Sequence, residues 1–417
     1  MRQYGTCSLT LPFFIAWFTE TMATATVFIT SAKYASDHLG ASGVFLGVVV
    51  SAFALSTVFG NSFAGWLSDT FDRRRILASV MLWNCMCSFA SATAPTLYWY
   101  IGARFVAGMF GVTSSLAYSY VGTLDDPMKS STRYALVGGI ASLSFIIVPL
   151  IASHLTKMHV TLELFGGLFH SGSLLFLIAS SLSFTSSMIV FFFVPKGITP
   201  PSDTNIKQSV TSGNLRLMLR SGIAYIWAAR LFSTWAQVAT SSTLLALCRY
   251  CFGRGTALAD DVFSGCHSIG GLTALLSQLF LFPLLDKRLG PYWSFRIALM
   301  IMLCGIIIYT FALTGEVAII LVAHGLFWVG AGVVDTSLPS VLRAKLGVLE
   351  KPNDHVGIAN GVAMTCKSFS LVCSPMLSNW LFEENPTAVY LQAIGACCLS
   401  IFFAFLASSS SIRSNSN

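Results

Sequence analysis

The 417-residue chain predicts an all-α membrane protein with twelve transmembrane helices arranged as two six-helix pseudo-repeats. Three observations carry that prediction. Hydrophobic residues make up 55% of the chain and charged residues 10%, against about 25% charged in soluble domains; the mean hydropathy is +0.73. The apolar residues fall into twelve runs, each with the ~20 residues that a helix rising about 1.5 Å per residue needs to cross about 30 Å of hydrocarbon. Basic residues are also sorted by side: seventeen Lys and Arg fall in loops on one side of the runs, four on the other, and three within them. That asymmetry is a topology signal, and it explains the net charge of +7 without nucleic acid as a partner.

In order, the spans run near 10–32, 41–66, 76–94, 97–121, 133–153, 173–195, 221–247, 262–285, 294–313, 316–342, 356–382 and 386–407. The first is long enough to cross and is followed by others, so it reads as a helix rather than a cleaved leader. Only a few residues join spans two and three, which makes them antiparallel neighbours. Their loop holds Arg73, Arg74 and Arg75 and is expected on the cytoplasmic face. An even number of spans places both termini there too. Residues 196–220, rich in Pro, Ser, Thr and Asn, read as a cytoplasmic linker between halves at 1–195 and 221–417. The eleven cysteines are scattered, mostly in apolar runs, and suit packing positions. Cys248 and Cys251 form a C-x-x-C without a second pair or a histidine set nearby, so neither a metal nor a cofactor is expected.

The loop Gly65-Trp66-Leu67-Ser68-Asp69-Thr70-Phe71-Asp72-Arg73-Arg74-Arg75 is more than a positive-inside turn requires. It resembles the signature between helices 2 and 3 of the major facilitator superfamily. Gly65, Leu67, Asp69, Arg73 and Arg74 fall on that pattern, and Asp72 replaces its second glycine. After span eight, Asp286-Lys287-Arg288-Leu289-Gly290 resembles the second copy of the signature, with Phe282 in place of the leading glycine. In span four, Arg104, Gly108 and Gly111 fit the family pattern R-x-x-x-G-x-x-G, and Asp125-Asp126 to Arg133 matches the acid-to-arginine spacing of its next loop. These motifs are similar to those of the drug–proton antiporter branch that includes tetracycline efflux proteins. The resemblance implies parallel six-helix repeats, alternating access, and a conformational gate at Gly65, Asp69, Arg73, Arg74, Asp286, Arg288 and Gly290. Span five departs from the branch: Val148 precedes Pro149 where those antiporters have glycine, so exchange is not implied there.

Five ionisable residues remain within spans: Glu20, Arg104, Arg230, Asp335 and Lys367. Each costs about 2.5–3.5 kcal/mol or more near a helix centre, so each should face protein or water and have a partner. Glu20 lies where similar antiporters place a functional aspartate. With Arg104 as its expected partner it is the candidate proton-coupling acid. Arg230, Thr234, Gln237 and Ser241 recur at spacings of four, three and four, which puts a polar stripe on one helical face. His267 and Gln278 can share a face of span eight. Asn360, Lys367 and Ser374 share a face of span eleven, and Asp335 is available to neutralise Lys367. Arg230, Gln237, His267, Asp335 and Lys367 are therefore the candidate cavity residues.

The expected function is secondary transport of a small organic solute by alternating access, with proton-coupled efflux the favoured mode. The partners are the solute, protons and the bilayer, and a monomer suffices. The alternatives are facilitated or symported uptake of an anionic metabolite, favoured by Arg230 and Lys367, or a receptor or scaffold that kept the fold. No nucleophile–base set lies in the spans, so an enzyme is not expected.

Overall fold

The computed structural model describes residues 6–41, 44–70, 72–111, 113–122, 130–157, 162–164, 167–169, 171–195, 222–253, 256–346 and 356–412. The expected linker at 196–220 lies outside them. Helices occupy all twelve expected spans. The first six are α1 (Thr6–His38), α2 (Val44–Thr70), α3 (Arg73–Ala92), α4 (Leu97–Phe110) followed by α5 (Thr113–Gly122), α6 (Ser130–Lys157) and α7 (Ser171–Phe193). A short antiparallel hairpin, β1 (Leu162–Leu164) and β2 (Gly167–Phe169), links α6 to α7 with Glu163 opposite Leu168. The last six are α8 (Ile223–Ser242) with α9 (Leu244–Phe252), α10 (Ala257–Leu276) with α11 (Phe282–Leu289), α12 (Pro291–Phe311), α13 (Val317–Leu346), α14 (Val356–Glu384) and α15 (Pro386–Ile412).

Three spans are divided, and two of the breaks have a local cause. Span four stops at Gly111, which caps α4 through its N–H to Gly108 O at 3.2 Å. Span eight widens into a π-helical turn at Ser277–Leu281, immediately before Pro283. Proline lacks an N–H and its ring crowds the carbonyl four residues back, here Leu279, so a wider turn relieves both constraints. The division of span seven is milder: Thr243 sits at the turn, with its hydroxyl bonded to Ala239 O at 2.9 Å.

The apolar core divides with the chain. One large cluster runs from Ile223 to Ala407, centred on Trp227, Tyr309, Phe327 and Tyr390 and joined by Ala135 of α6. Two smaller clusters lie in the first six spans, around Trp17, Leu77 and Tyr120 and around Tyr34, Tyr100 and Phe176. Within each set, small hydroxyls bond to neighbouring helix carbonyls, as Ser186 does to Ala16 O (2.6 Å) and Ser400 to Ala229 O (2.8 Å). With no water available in lipid, such bonds and close glycine contacts hold helices together.

Two helix pairs join the sets. Along α2 and α14, Ser51 donates to Val372 O (2.8 Å), and Thr57 and Asn61 both donate to the Ser368 hydroxyl at 3.0 Å. Between α6 and the π turn, Ser142 donates to Gln278 Oε1 at 3.0 Å. Spans two and five of the first half thus meet spans five and two of the second, as a two-fold pseudo-repeat requires. At the face opposite the Asp69 loop, Lys33 of α1 pairs with Asp260 of α10 at 2.8 Å, and Asp37 of α1 with Arg249 of α9 at 3.9 Å. At the other face, Arg296 and Lys345 are buried helix residues rather than loop charges. They donate to Ala404 O and Ala407 O in the last turns of α15.

Candidate functional site

The structure places the five intramembrane charges in two groups. In the second half, Arg230 of α8 and Asp335 of α13 form a direct ion pair, Nη1 to Oδ1 at 2.5 Å. Arg230 is almost fully buried, and its Nε has no hydrogen-bond partner among the described residues. Lys367 of α14 interacts electrostatically with both, but neither an ion pair nor a hydrogen bond joins it to them. Asp335, expected to neutralise Lys367, is thus taken by Arg230. Tyr118 of α5 brings its phenol into the same electrostatic neighbourhood from the first half. The stripe on α8 continues with Thr234 and Gln237, both buried, each keeping a polar atom without a partner among the described residues. Ser374, on the Lys367 face of α14, donates to Trp235 O of α8 at 3.1 Å, so that face does look inward.

In the first half, Glu20 of α1 is buried. Asn84 of α3 donates to its Oε1 at 2.8 Å, and Ser183 of α7 lies beside the carboxyl. Its Oε2 has no hydrogen-bond partner among the described residues. The expected Glu20–Arg104 pair is absent among the described residues. The cause is orientation: Glu20 faces α3 and α7, whereas the Arg104 guanidinium turns toward α2 and lies 4.9 Å from the Phe53 ring centroid. Arg104 Nε is buried without a hydrogen-bond partner among the described residues.

His267 stands apart from the charged cluster. Its ring neighbours are Phe263 at 4.6 Å and His324 at 6.0 Å, and His324 is bonded in turn to the Tyr309 hydroxyl. Gln278 lies in the π turn, where it accepts from Ser142 of α6 and donates through Nε2 to Gly332 O of α13 at 3.4 Å, the helix that also carries the His324 neighbour of His267.

The side chains of Asp69 and Arg73 lie outside the described residues. Around them, Asp72 is the N-cap of α3, its Oδ1 accepting from Arg74 N at 3.1 Å. Arg74 reaches Val194 O at 3.3 Å, just past the end of α7. In the second copy, Gly290 has φ +79° and its N–H bonds to Asp286 O at 3.0 Å, a helix end that favours glycine. Asp286 Oδ1 is buried without a partner among the described residues, and Arg288 is exposed.

A groove of about 540 Å³ lies between α2, α4 and α14, lined by Val48, Leu55, Phe105 and Met376 among others. No charged side chain lines it, so it is not where the polar chemistry sits.

Sequence reasoning missed Asn84, Tyr118, His324 and the Lys33–Asp260 pair. A polar residue inside the 76–94 run was the signal for Asn84. His324 gave the same signal in span ten.

The fold, the repeated Asp69-type loop and the buried charges agree with the family comparison, in which the model described as Major Facilitator Superfamily matches residues 12–375. The chain belongs to the Major Facilitator Superfamily. Within the superfamily it is 32% identical over 113 residues to an uncharacterised transporter of this type, YfkF of Bacillus subtilis, covering 27% of this chain and 29% of that one. It is 27% identical over 103 residues to the class C tetracycline resistance protein of Escherichia coli, covering 25% and 26% of the two chains. Each of these matches spans under a third of the relative. The human organic anion transporter MFSD10 (TETRAN) superposes with a TM-score of 0.72 over 96% of this chain and 100% of that one, at 16% identity, which shows the shared fold.

Proposed function

We propose that this superfamily member is a proton-coupled secondary transporter that exports a small organic solute by alternating access. In this reading the halves 1–195 and 221–417 rock about the central cluster, tethered by a cytoplasmic linker at 196–220. Glu20 carries the proton, and Arg230, Gln237, Asp335 and Lys367 face the solute. The observation that supports proton coupling is the Glu20 carboxyl, buried with one oxygen held by Asn84 and the other without a partner. A carboxyl so placed, with no guanidinium locked to it, can change protonation as the space around it gains and loses water. The short match to a tetracycline resistance protein supports export.

The test is flux into proteoliposomes under an imposed pH step, for a solute panel that includes tetracycline and simple carboxylates. The wild type should concentrate at least one solute. Glu20→Gln, which keeps shape and hydrogen bonding, should equilibrate that solute without concentrating it. Accumulation by Glu20→Gln at the wild-type level would make Glu20 a structural acid. Cysteines introduced in 196–220 and probed with an impermeant thiol reagent test the orientation, and labelling from outside would reverse it.

A second reading, uptake of an anionic metabolite, is supported by Lys367, which has no direct ion pair among the described residues. Accumulation in the inward direction would favour it. Absence of flux for every solute would leave the receptor or scaffold reading.

A further inference from the structure

We propose that the groove between α2, α4 and α14 takes one acyl chain of a bilayer lipid, and that the chain clasps the two halves in the arrangement the structure shows. The clasp rests on the halves moving as proposed above; the chain site does not.

The groove is dry. α2 packs on both α4 and α14 and supplies its floor from Val48 to Leu55, while Tyr98 to Val106 form one wall and Val372 and Met376 the other. The Ser51 hydroxyl in the floor is spent on Val372 O at 2.8 Å. Leu55, Val106 and Met376 are exposed on helices that span the membrane, so the matter outside them is hydrocarbon. An apolar space of this kind does not hold water, and left empty it forfeits the contacts of every lining atom. Its volume of about 540 Å³ falls within the roughly 300–1,000 Å³ of small-molecule sites.

The length and direction of the groove select the occupant. Both α2 and α4 begin at the face opposite the Asp69 loop, so Val48 and Tyr98 mark its shallow end and Leu55 and Val106 its deep end. Tyr98 and Trp99 are exposed at the shallow end, where aromatic side chains meet the headgroup boundary. From Tyr98 to Val106 the wall runs about 12 Å at ~1.5 Å per residue, most of the ~15 Å of hydrocarbon in one leaflet. Midway, a Cβ on Gly102 would meet nothing within 4 Å. Beyond Val106, α2 and α4 close on each other, Gly108 against Phe53 and Gly60 against Met109. A slot that opens at the boundary and ends near mid-membrane fits one tail of a lipid in that leaflet.

The walls come from different halves, α4 from the first and α14 from the second. Opening the face held by Lys33–Asp260 and Asp37–Arg249 would part the shallow ends of α2 and α14 and dismantle the groove. A chain bound there therefore favours the closed face, and by reciprocity the closed face favours the chain.

The test uses the full chain in phosphatidylcholine vesicles with a trace of phosphatidylcholine carrying a diazirine on one tail, either near the ester or at mid-chain. Peptide mapping reads carbene insertion. The ester-proximal probe should label Val48 and Tyr98, and the mid-chain probe Leu55 and Val106, above the comparably exposed Phe184 and Leu399 on other faces. Gly102→Trp, which fills the groove, should remove that excess, and Gly102→Ala should keep it. Val106→Trp plugs the deep end independently and guards against a folding failure of the first variant. Lys33→Asp, which sets like charges against Asp260, should lower the groove label and leave Phe184 and Leu399 unchanged. Even labelling of groove and control residues, or an excess that survives both tryptophan variants, overturns the chain site. A groove label unchanged in Lys33→Asp overturns the clasp. Solute flux with even labelling would remove the groove and leave transport standing, and a plug-sensitive groove label without flux would do the reverse.

Discussion

Arg230 Nη1 and Asp335 Oδ1 lie 2.5 Å apart, joining α8 to α13 inside the second half. The arginine side chain is 2% exposed and the aspartate 30%, so one end of the pair is dry and the other keeps some access. Removing the acid alone would strand a buried guanidinium, which is worse than removing both. Asp335→Asn should lower stability by about 3 kcal/mol, the low end for breaking a buried pair because the carboxylate is partly reachable. Arg230→Met with Asp335→Leu should lose clearly less than the sum of the single variants. Unfolding in detergent measures the cycle, and additive losses would mean that the two residues do not act as a unit.

The spans were legible because a lipid-facing helix must be apolar and long, and a run of that kind survives without knowledge of packing. Even so, only eight helices among the described residues are individually apolar and long enough to cross. The helices that carry Arg230 and Lys367, α8 and α14, are not among them. Their polar residues lower the mean hydropathy, and the same residues, read by helical spacing, mark the inward face. What the sequence could not show is which neighbour each inward face meets. Glu20 and Arg104 looked like partners because both are charged and both belong to the first half. Rotation of α1 toward α3 and of α4 toward α2 separates them, and nothing in the spacing within one helix reports the rotation of another. Asp72 was read as a departure from a glycine pattern, yet its side chain does the local work of an N-cap.

Close approach of α2 and α4 depends on two glycines. A Cβ on Gly108 would lie 2.1 Å from Phe53 O, and one on Gly60 would lie 2.2 Å from Met109 O. Both obstacles are backbone, which cannot move aside cheaply. Gly108→Ala and Gly60→Ala should each cost about 1–3 kcal/mol, as overpacked sites do. Thermal unfolding in detergent reads the loss. Gly102, which has open space on its Cβ side, is the control and should tolerate alanine.

The two cross-half ion pairs at the face opposite the Asp69 loop have opposite polarity: α1 supplies Lys33 and Asp37, and the second half supplies Asp260 and Arg249. Both pairs are partly exposed, and each is worth no more than about 1 kcal/mol. Two such contacts still suffice to bias a balanced conformational equilibrium several-fold. Lys33→Asp should therefore slow turnover several-fold, and Lys33→Asp with Asp260→Lys should recover most of it. Initial flux rates in proteoliposomes decide the matter. Failure of the double variant to recover would make the pair incidental.

Asp72 and Asp69 are three residues apart and should respond in opposite ways to substitution. The Asp72 carboxylate accepts from Arg74 N at 3.1 Å and caps α3. Its replacement by alanine should cost about 1 kcal/mol, within the 0.5–2 kcal/mol usual for such caps, and leave turnover per folded molecule nearly unchanged. Asp69, matched to the signature acid, is the proposed gate. An anion against a helix N-terminus of the other half would contribute about 0.3–1 kcal/mol when exposed and up to ~2 kcal/mol when partly buried. Losing that amount shifts a two-state equilibrium by several-fold to roughly thirtyfold. Asp69→Asn should therefore cut turnover strongly while leaving thermal stability and solute binding near wild type. Stability and flux measured on both variants separate the roles. Normal flux in Asp69→Asn, or lost flux in a stably folded Asp72→Ala, would move the gate from Asp69 to the helix cap.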